Sequence, residues 1–502
     1  MQREPHVVVV GGGVSGLTAA YRLTRNGARV TVLESAPRPG GKLHTSDVAG
    51  VPVDSGAESV LARRPEALDL IRELGLGDRL VYPARVPAAI YSRGRLRAFP
   101  AGHVMGVPGS LRALARSGVL SPAGTLRAAL DLVLPRTAVR GDVPVGAFVG
   151  ARLGREVVDR LVEPMLGGVY AGRADRLSLD STLPQIAAVA RTDRSLLRAV
   201  RAITGRAAGA PPAPVFATLN GGLAGLADAL IERSGATVLT STTVRGLAPE
   251  GAGWRLTTGP AAGEGAGRTR DADAVVLACP APAAGRLLRP FAPAAAEELA
   301  GIAYASMAIV TLAYPASAFA RPPAGSGFLV PAREGRAIKA ATFSSVKWPW
   351  LAGELAARPG PETVVIRCSI GRVGEEAVLQ RSDDDLAALA VADLAAICGI
   401  SGPPADIRVT RWGGGLPQYD AGHGARIGRV RAALAGHPAL AVCGAAYDGV
   451  GIPACIAGAT GAAEHIAAAL PAARTAGTGA RSARRPAPAP SGPPSDTQGE
   501  AP

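Results

Sequence analysis

The sequence predicts an α/β fold, a Rossmann-type parallel sheet joined to an antiparallel sheet and a helical insertion, and three observations predict it. Val7-Val8-Val9-Val10 is a short apolar run of the kind buried in a parallel sheet, and it meets Gly11-Gly12-Gly13-Val14-Ser15-Gly16, a G-x-G-x-x-G turn. Between 103 and 209 the pattern changes to helices with short breaks. Between 309 and 368, four apolar stretches broken by Pro and Gly read as a second, antiparallel sheet.

The glycine turn carries the most specific chemistry. A helix pattern follows at 17–26, and 28–34 reads as a strand ending in Glu34, the order of a dinucleotide-binding unit. Gly11 lets the chain turn tightly, Gly13 lets backbone N–H groups approach a pyrophosphate, and Gly16 lets helix pack on strand. Gly12, Val14 and Ser15 complete a turn whose N–H groups and helix dipole favour an anion. Glu34, followed by Ser35, can accept from ribose hydroxyls. Arg38, Gly40, Gly41 and Lys42 then extend the acid into E-x-x-x-R-x-G-G-K. A nicotinamide site has no need of this second glycine pair and its two cations, whereas a flavin must run past the loop. FAD is therefore expected rather than NAD. The stretch resembles the amino-oxidase superfamily of FAD enzymes.

The remaining elements follow in order. Asp54, Gly56 and Glu58 punctuate a short turn over 51–59. A helix is expected over 65–74, with Arg63 and Arg64 just before it, then two strands within 82–100 turning at Arg93-Gly94-Arg95. The helical stretch divides into 108–117, 122–134, 144–153, 156–167 and 183–204. On the last of these, Arg191, Arg194, Arg198 and Arg201 are spaced to form one basic face, either solvated or drawn to lipid phosphate or a carboxylate-rich substrate. Strands are expected at 215–220, 236–239, 242–247, 254–258 and 272–278, with a helix over 226–234. Asp383, Asp384 and Asp385 open a helix over 383–398, where they suit its dipole. A strand over 407–412 follows, and then one over 439–443 leads through a glycine-rich turn into a helix over 455–470, a second anion site.

Composition bounds the rest. The 502 residues are material for about three domains. With 48% hydrophobic but 4% aromatic residues, the core must be mainly Ala, Val, Leu and Ile. A formal charge of +14 admits nucleic acid, an anionic membrane or an acidic small molecule as partner. Zinc-ligand spacing, an RNA-binding aromatic motif and a long basic block are all missing, so neither a metal site nor a nucleic-acid partner is expected. Five cysteines, none in C-x-x-C, fit a reducing compartment. The nucleotide strand starts directly after Met1-Gln2-Arg3-Glu4-Pro5, and no apolar run reaches the roughly 18 residues of a membrane span. The expectation is a cytoplasmic protein, with peripheral membrane contact allowed.

Other segments narrow the likeness. They are Gly56-Ala57-Glu58-Ser59, Thr342-Phe343-Ser344-Ser345-Val346-Lys347-Trp348-Pro349, Arg367-Cys368 with Gly371-Arg372, Pro417-Gln418-Tyr419 with Gly422-His423, and Tyr447-Asp448-Gly449-Val450-Gly451-Ile452-Pro453. Together they resemble the oxygen-dependent porphyrinogen oxidases of haem synthesis over about residues 7–470. The resemblance implies an FAD-binding domain built from 1–100, 211–290 and 406–470, a helical substrate-covering or membrane-facing domain at 101–210, and a substrate sheet at 291–405. Residues 471–502 lie outside it and read as a disordered tail. It also implies non-covalent FAD contacts at Gly11, Gly12, Gly13, Val14, Ser15, Gly16, Glu34, Ser35, Lys42, Gly56, Ala57, Glu58, Ser59, Val244, Trp412, Val450, Gly451 and Ile452, with Val244 beside the adenine.

The activity so implied is the six-electron oxidation of a porphyrinogen, in which FAD takes hydride three times and O2 reoxidises it to give H2O2. No catalytic side chain is assigned. Arg64 falls where the family places a basic residue near the pocket mouth, so it is the expected partner of a substrate propionate. Coproporphyrinogen, with four carboxylates, suits the basic chain better than protoporphyrinogen with two. The alternatives are protoporphyrinogen oxidation, a non-catalytic FAD scaffold, and another amino-oxidase-type flavoenzyme. His423 is read as a structural histidine at a turn and Cys455 as a buried thiol rather than a flavin link. Gly413-Gly414-Gly415 departs from the family pattern, where bulkier residues stand.

Overall fold

A computed structural model describes residues 4–207, 214–260 and 267–470, so the expected tail lies outside the described residues. At its centre is a parallel sheet whose strands run, in spatial order, Thr237–Leu239, Arg29–Leu33, His6–Val10, Ala274–Leu277 and Leu440–Val442. These strands come from distant parts of the chain. Val7, Val8 and Val9 are fully buried because both faces of the sheet are covered. Alternate side chains divide between the two faces. Val7, Val9 and Val30 meet helices Val14–Arg25 and Ile452–Ala469, whereas Val8, Val10 and Val275 meet Ala281–Leu288, Pro293–Ala300 and a three-stranded meander. The meander comprises Thr242–Glu250, Gly253–Pro260 and Arg268–Ala272. The apolar run at 272–278 therefore serves two sheets. Asp273 stands at the switch and accepts the His6 N–H at 2.6 Å.

The second sheet has seven strands in the order Asp406–Pro417, Tyr304–Pro315, Thr363–Ile370, Ile338–Phe343, Gly327–Leu329, Ala88–Ser92 and Arg95–Ala98. Its pairings are antiparallel except that Gly327–Leu329 runs parallel to Ala88–Ser92. Two segments expected in the cofactor domain thus belong here: the hairpin at 88–98 and the strand at 406–417. Helix Asp383–Cys398 packs on this sheet and begins as expected, with Ser382 accepting the Asp385 N–H. The stretch 51–59 is more ordered than a turn. Val51–Asp54 pairs with Thr45–Val48 across Ala49 and Gly50, both at positive φ.

The insertion is helical, apart from a small hairpin of His103–Val104 with Val107–Pro108. The helix expected over 183–204 is two, Pro184–Thr192 and Leu196–Ala207. Asp131 causes the break. It is fully buried, pairs with Arg152 at 2.6 Å, and accepts from Ser195 Oγ at 2.7 Å and the Leu197 N–H at 2.9 Å, anchoring a new helix start. The single basic face is lost with it. Arg191 pairs with Asp180 and Arg194 donates to the Leu132 carbonyl, while Arg198 and Arg201 stay exposed on the second helix. Among the described residues no helix is long and apolar enough to cross a membrane, and no cluster of side chains could hold a metal ion.

Candidate active site

One cavity of about 1950 Å³ runs from the ends of the parallel strands to the face of the large sheet. Its first half is built by the glycine turn. Gly11 sits at φ +108°, its N–H bonded to the Leu33 carbonyl at 2.8 Å. A Cβ on Gly16 would lie 1.8 Å from the Gly11 carbonyl oxygen, so helix and strand approach as closely as glycine allows. Gly13 is the open one, since a Cβ there would meet nothing within 4 Å. Gly12 is spent inside the protein: its N–H donates to Glu34 Oε2 at 2.7 Å, while the Ala36 N–H takes Oε1 at 2.7 Å. Oε1 also accepts from Ser35 Oγ at 3.4 Å, while Oε2 keeps a second lone pair for a ribose hydroxyl.

Most of the expected cofactor residues line this cavity: Gly11, Gly13, Val14, Ser15, Glu34, Ser35, Lys42, Gly56, Ala57, Glu58, Ser59, Val244, Trp412, Val450 and Ile452. Gly12, Gly16 and Gly451 stand behind it, Gly451 as the N-cap of Ile452–Ala469. That helix start has no side-chain cap, which leaves its N–H groups for a ligand. Lys42 is the clearest sign of an anion. Among the described residues its ammonium makes no hydrogen bond or ion pair, and burial lowers its pKa against the opposing pull of Cys455. An open glycine cradle, a helix start and a partnerless lysine are what a flavin dinucleotide needs.

Around them the wall is tightly braced. A Cβ on Gly56 would fall 2.1 Å from the Lys42 carbonyl oxygen, and Trp412 Nε1 donates to the Ser55 carbonyl at 2.9 Å, so Trp412 can offer a ligand only its ring. Gly413 and Gly415 present bare backbone to the cavity and widen it. Cys455 is a free buried thiol whose pKa burial raises. His423 does not line the cavity; it stacks on Tyr419 at 3.9 Å and burial pushes it down to about 4, so it is neutral at pH 7.

Glu58 reaches the cavity wall, but its carboxylate is fully engaged by protein. Trp348 Nε1 donates at 2.6 Å and Lys347 Nζ at 3.1 Å, and Arg367 Nη1 forms an ion pair at 3.0 Å. Burial alone would raise its pKa, yet Lys347, Arg367 and Trp348 outweigh that and hold it at about 2. Close by, burial pushes the Asp54 carboxyl up to about 7 despite Arg367 and the Leu223 N–H.

The expected substrate cation is misplaced. Arg64 caps the helix Pro65–Glu73, bonds Glu66 two residues on through Nε at 3.1 Å, and does not line the cavity. Arg85 lines the cavity instead. It is exposed at the cavity among Tyr82, Pro83 and Val86, and makes no hydrogen bond or ion pair among the described residues. The sequence does hold a signal for it: Pro83 and Pro87 bracket a rigid turn with one cation at its tip. The facing surfaces are apolar, from Met165 and Val169 of the insertion, Phe216, and Phe328 and Leu329 of the large sheet.

The model of the flavin containing amine oxidoreductases matches residues 14–467. The chain belongs to that family. A coproporphyrinogen III oxidase of Mycobacterium leprae (strain TN) is 40% identical over 468 residues, covering 92% of this chain and 98% of that protein. A protoporphyrinogen oxidase of Bos taurus is 29% identical over 484 residues, covering 90% and 96% respectively. A crystal structure from Exiguobacterium sp. 255-15, provisionally named a protoporphyrinogen oxidase, matches with a TM-score of 0.81 at 32% identity, over 94% of this chain and all of that one. The oxidoreductase therefore uses FAD.

Proposed function

We propose that this oxidoreductase is a coproporphyrinogen III oxidase, holding FAD non-covalently and forming coproporphyrin III while three O2 become three H2O2. The observation that carries this is the second half of the cavity: broad and apolar-walled, with the partnerless Arg85 at its edge. Such a surface suits a flat macrocycle with acidic groups on its rim. The 40% identity to a coproporphyrinogen oxidase, against 29% to a protoporphyrinogen oxidase, favours the substrate with four carboxylates. Bound flavin supplies the hydride acceptor. The chain's own part is to seat the ring on apolar surface and bind its carboxylates. Among the described lining residues the only carboxylates, Glu34 and Glu58, are already engaged and no histidine is present, so no side chain is set up as a general base.

Arg85→Ala is expected to raise KM for coproporphyrinogen by about 10- to 100-fold with kcat little changed, the loss of one charge-assisted hydrogen bond. Arg64→Ala should leave both constants near wild type. An unchanged KM in Arg85→Ala, or faster oxidation of protoporphyrinogen than coproporphyrinogen, contradicts the assignment. Flavin-loaded protein that yields neither porphyrin fluorescence nor peroxide in air would point to a non-catalytic scaffold.

Peripheral membrane contact belongs to the same reading. Leu126, Leu130 and Val133 are 70%, 44% and 71% exposed and recur every three or four residues on the insertion. Arg112 and Arg116 are exposed on the adjoining helix Leu111–Ser117. Sedimentation with anionic vesicles is expected for the wild type and lost in a Leu126→Asp, Val133→Asp double variant; equal recovery with and without vesicles would remove this contact.

A further inference from the structure

We propose that Lys347 is a second anchor for substrate carboxylate, forming with Arg85 a two-cation clamp on one edge of the macrocycle; this rests on the porphyrinogen reading above. The argument begins with charge. One buried carboxylate, Glu58, is held by two cations, Arg367 and Lys347. Either would neutralise it. Asp54, the other acid near this group, carries a carboxyl that burial pushes up to about 7, so at neutral pH it offsets only part of the excess. A surplus positive charge is therefore built into the wall of the cavity.

The two cations differ in what they can still do. Arg367 also lines the cavity, but its side chain is only 8% exposed and its guanidinium is fixed by an ion pair to Glu58 and by a hydrogen bond donated to the Gly56 carbonyl at 2.8 Å. Lys347 lines the cavity and is 15% exposed. Its ammonium has three N–H groups, and Glu58 accepts the only hydrogen bond it makes among the described residues. The rings of Trp348 and Phe216, 4.9 and 5.6 Å from Nζ, hold the charge in place without satisfying the remaining donors. An anion arriving in the cavity can take them while the bond to Glu58 stays.

Position links Lys347 to Arg85. The Lys347 carbonyl accepts the Ala84 N–H at 2.8 Å, so the turn carrying Arg85 is tied to the turn carrying Lys347. Met165, Val169 and Phe328 supply apolar surface elsewhere in the same cavity half. A ring lying on that surface with two neighbouring acid groups toward Arg85 and Lys347 satisfies both cations at once.

The test compares coproporphyrin with its tetramethyl ester, which has the same ring and no charge. Binding to flavin-loaded protein is read by quenching of porphyrin fluorescence for wild type, Lys347→Met, Lys347→Gln and Lys347→Arg. The two neutral variants are expected to weaken the acid about tenfold and leave the ester within about twofold, and Lys347→Arg to restore most of the loss. Flavin content should stay near wild type, because Arg367 and Trp348 still hold Glu58, while Tm falls modestly with the loss of the Lys347 ion pair. Acid binding that is unchanged, or acid and ester weakened alike, overturns the clamp. The two levels fail differently. Wild-type protein that oxidises coproporphyrinogen, with Lys347→Met keeping its KM, removes the clamp alone, whereas wild-type protein that oxidises no porphyrinogen removes the reading beneath it.

Discussion

Gly16→Ala is expected to purify without flavin and with a lowered Tm. The new methyl group would stand 1.8 Å from the carbonyl oxygen of Gly11, which opens the glycine turn, and 3.3 Å from Cβ of Ala278, which follows the neighbouring strand Ala274–Leu277. Backbone cannot yield there as a flexible side chain would. The helix Val14–Arg25 must move off the sheet, opening the contacts of Leu17, Ala20 and Leu23. Overpacking of this kind costs about 1–3 kcal/mol or more, and the displaced turn no longer presents its N–H groups to a pyrophosphate. Gly13→Ala separates the two effects. Its methyl group meets no protein atom within 4 Å, and Gly13 has φ −76°, so the fold should keep its Tm while flavin affinity falls. Flavin absorbance per protein and thermal melts of both variants decide the matter. A Gly16→Ala protein with full flavin content would show that the turn is not the cofactor's seat.

What the sequence revealed depended on how local the cause was. The unit from Val7 to Glu34 was legible because strand, turn, helix and acid are neighbours in the chain, and each glycine answers to a contact within that unit or the strand beside it. The start of Asp383–Cys398 was legible for the same reason, as its cap and acids are adjacent. Strand partners were not. Ala88–Ser92 has the same character whether it pairs in one sheet or the other, and its neighbour Gly327–Leu329 lies more than two hundred residues away. The break between the two arginine-bearing helices depends on Asp131, some sixty residues upstream, and no periodicity shows that. Arg64 and Arg85 make the same point for the site. Glu66, two residues after Arg64, was a visible partner that could hold it in place, whereas Arg85 has no acid beside it and sits between prolines.

Glu58→Gln is the substitution expected to cost most in stability away from the backbone. Glutamine keeps the shape and one carbonyl oxygen for Trp348 Nε1, but removes the charge that Lys347 and Arg367 share. Leaving buried cations uncompensated costs about 3–5 kcal/mol. Linkage gives a similar magnitude by a separate route. The folded protein holds Glu58 at about 2 against an ordinary 4.5, a difference worth about 3 kcal/mol. A depressed carboxyl contributes its full stability above 4.5 and loses it as pH falls from there through 2. Asp54 works in the opposite sense. Its folded value of about 7 against 3.8 means that stability declines as pH rises between those limits. In Glu58→Gln the acid-side loss should vanish, because there is no carboxyl left to protonate, so the gap between wild type and variant should narrow as pH falls below 4.5. The decline due to Asp54 should also flatten, since Glu58 raises the Asp54 pKa and its removal leaves Asp54 as the counter-ion of Arg367. Urea denaturation of both proteins at matched flavin loading, from about pH 3 to pH 8, measures the difference directly. Curves that run parallel across that range would show that Glu58 does not carry the charge coupling that holds the cavity wall together.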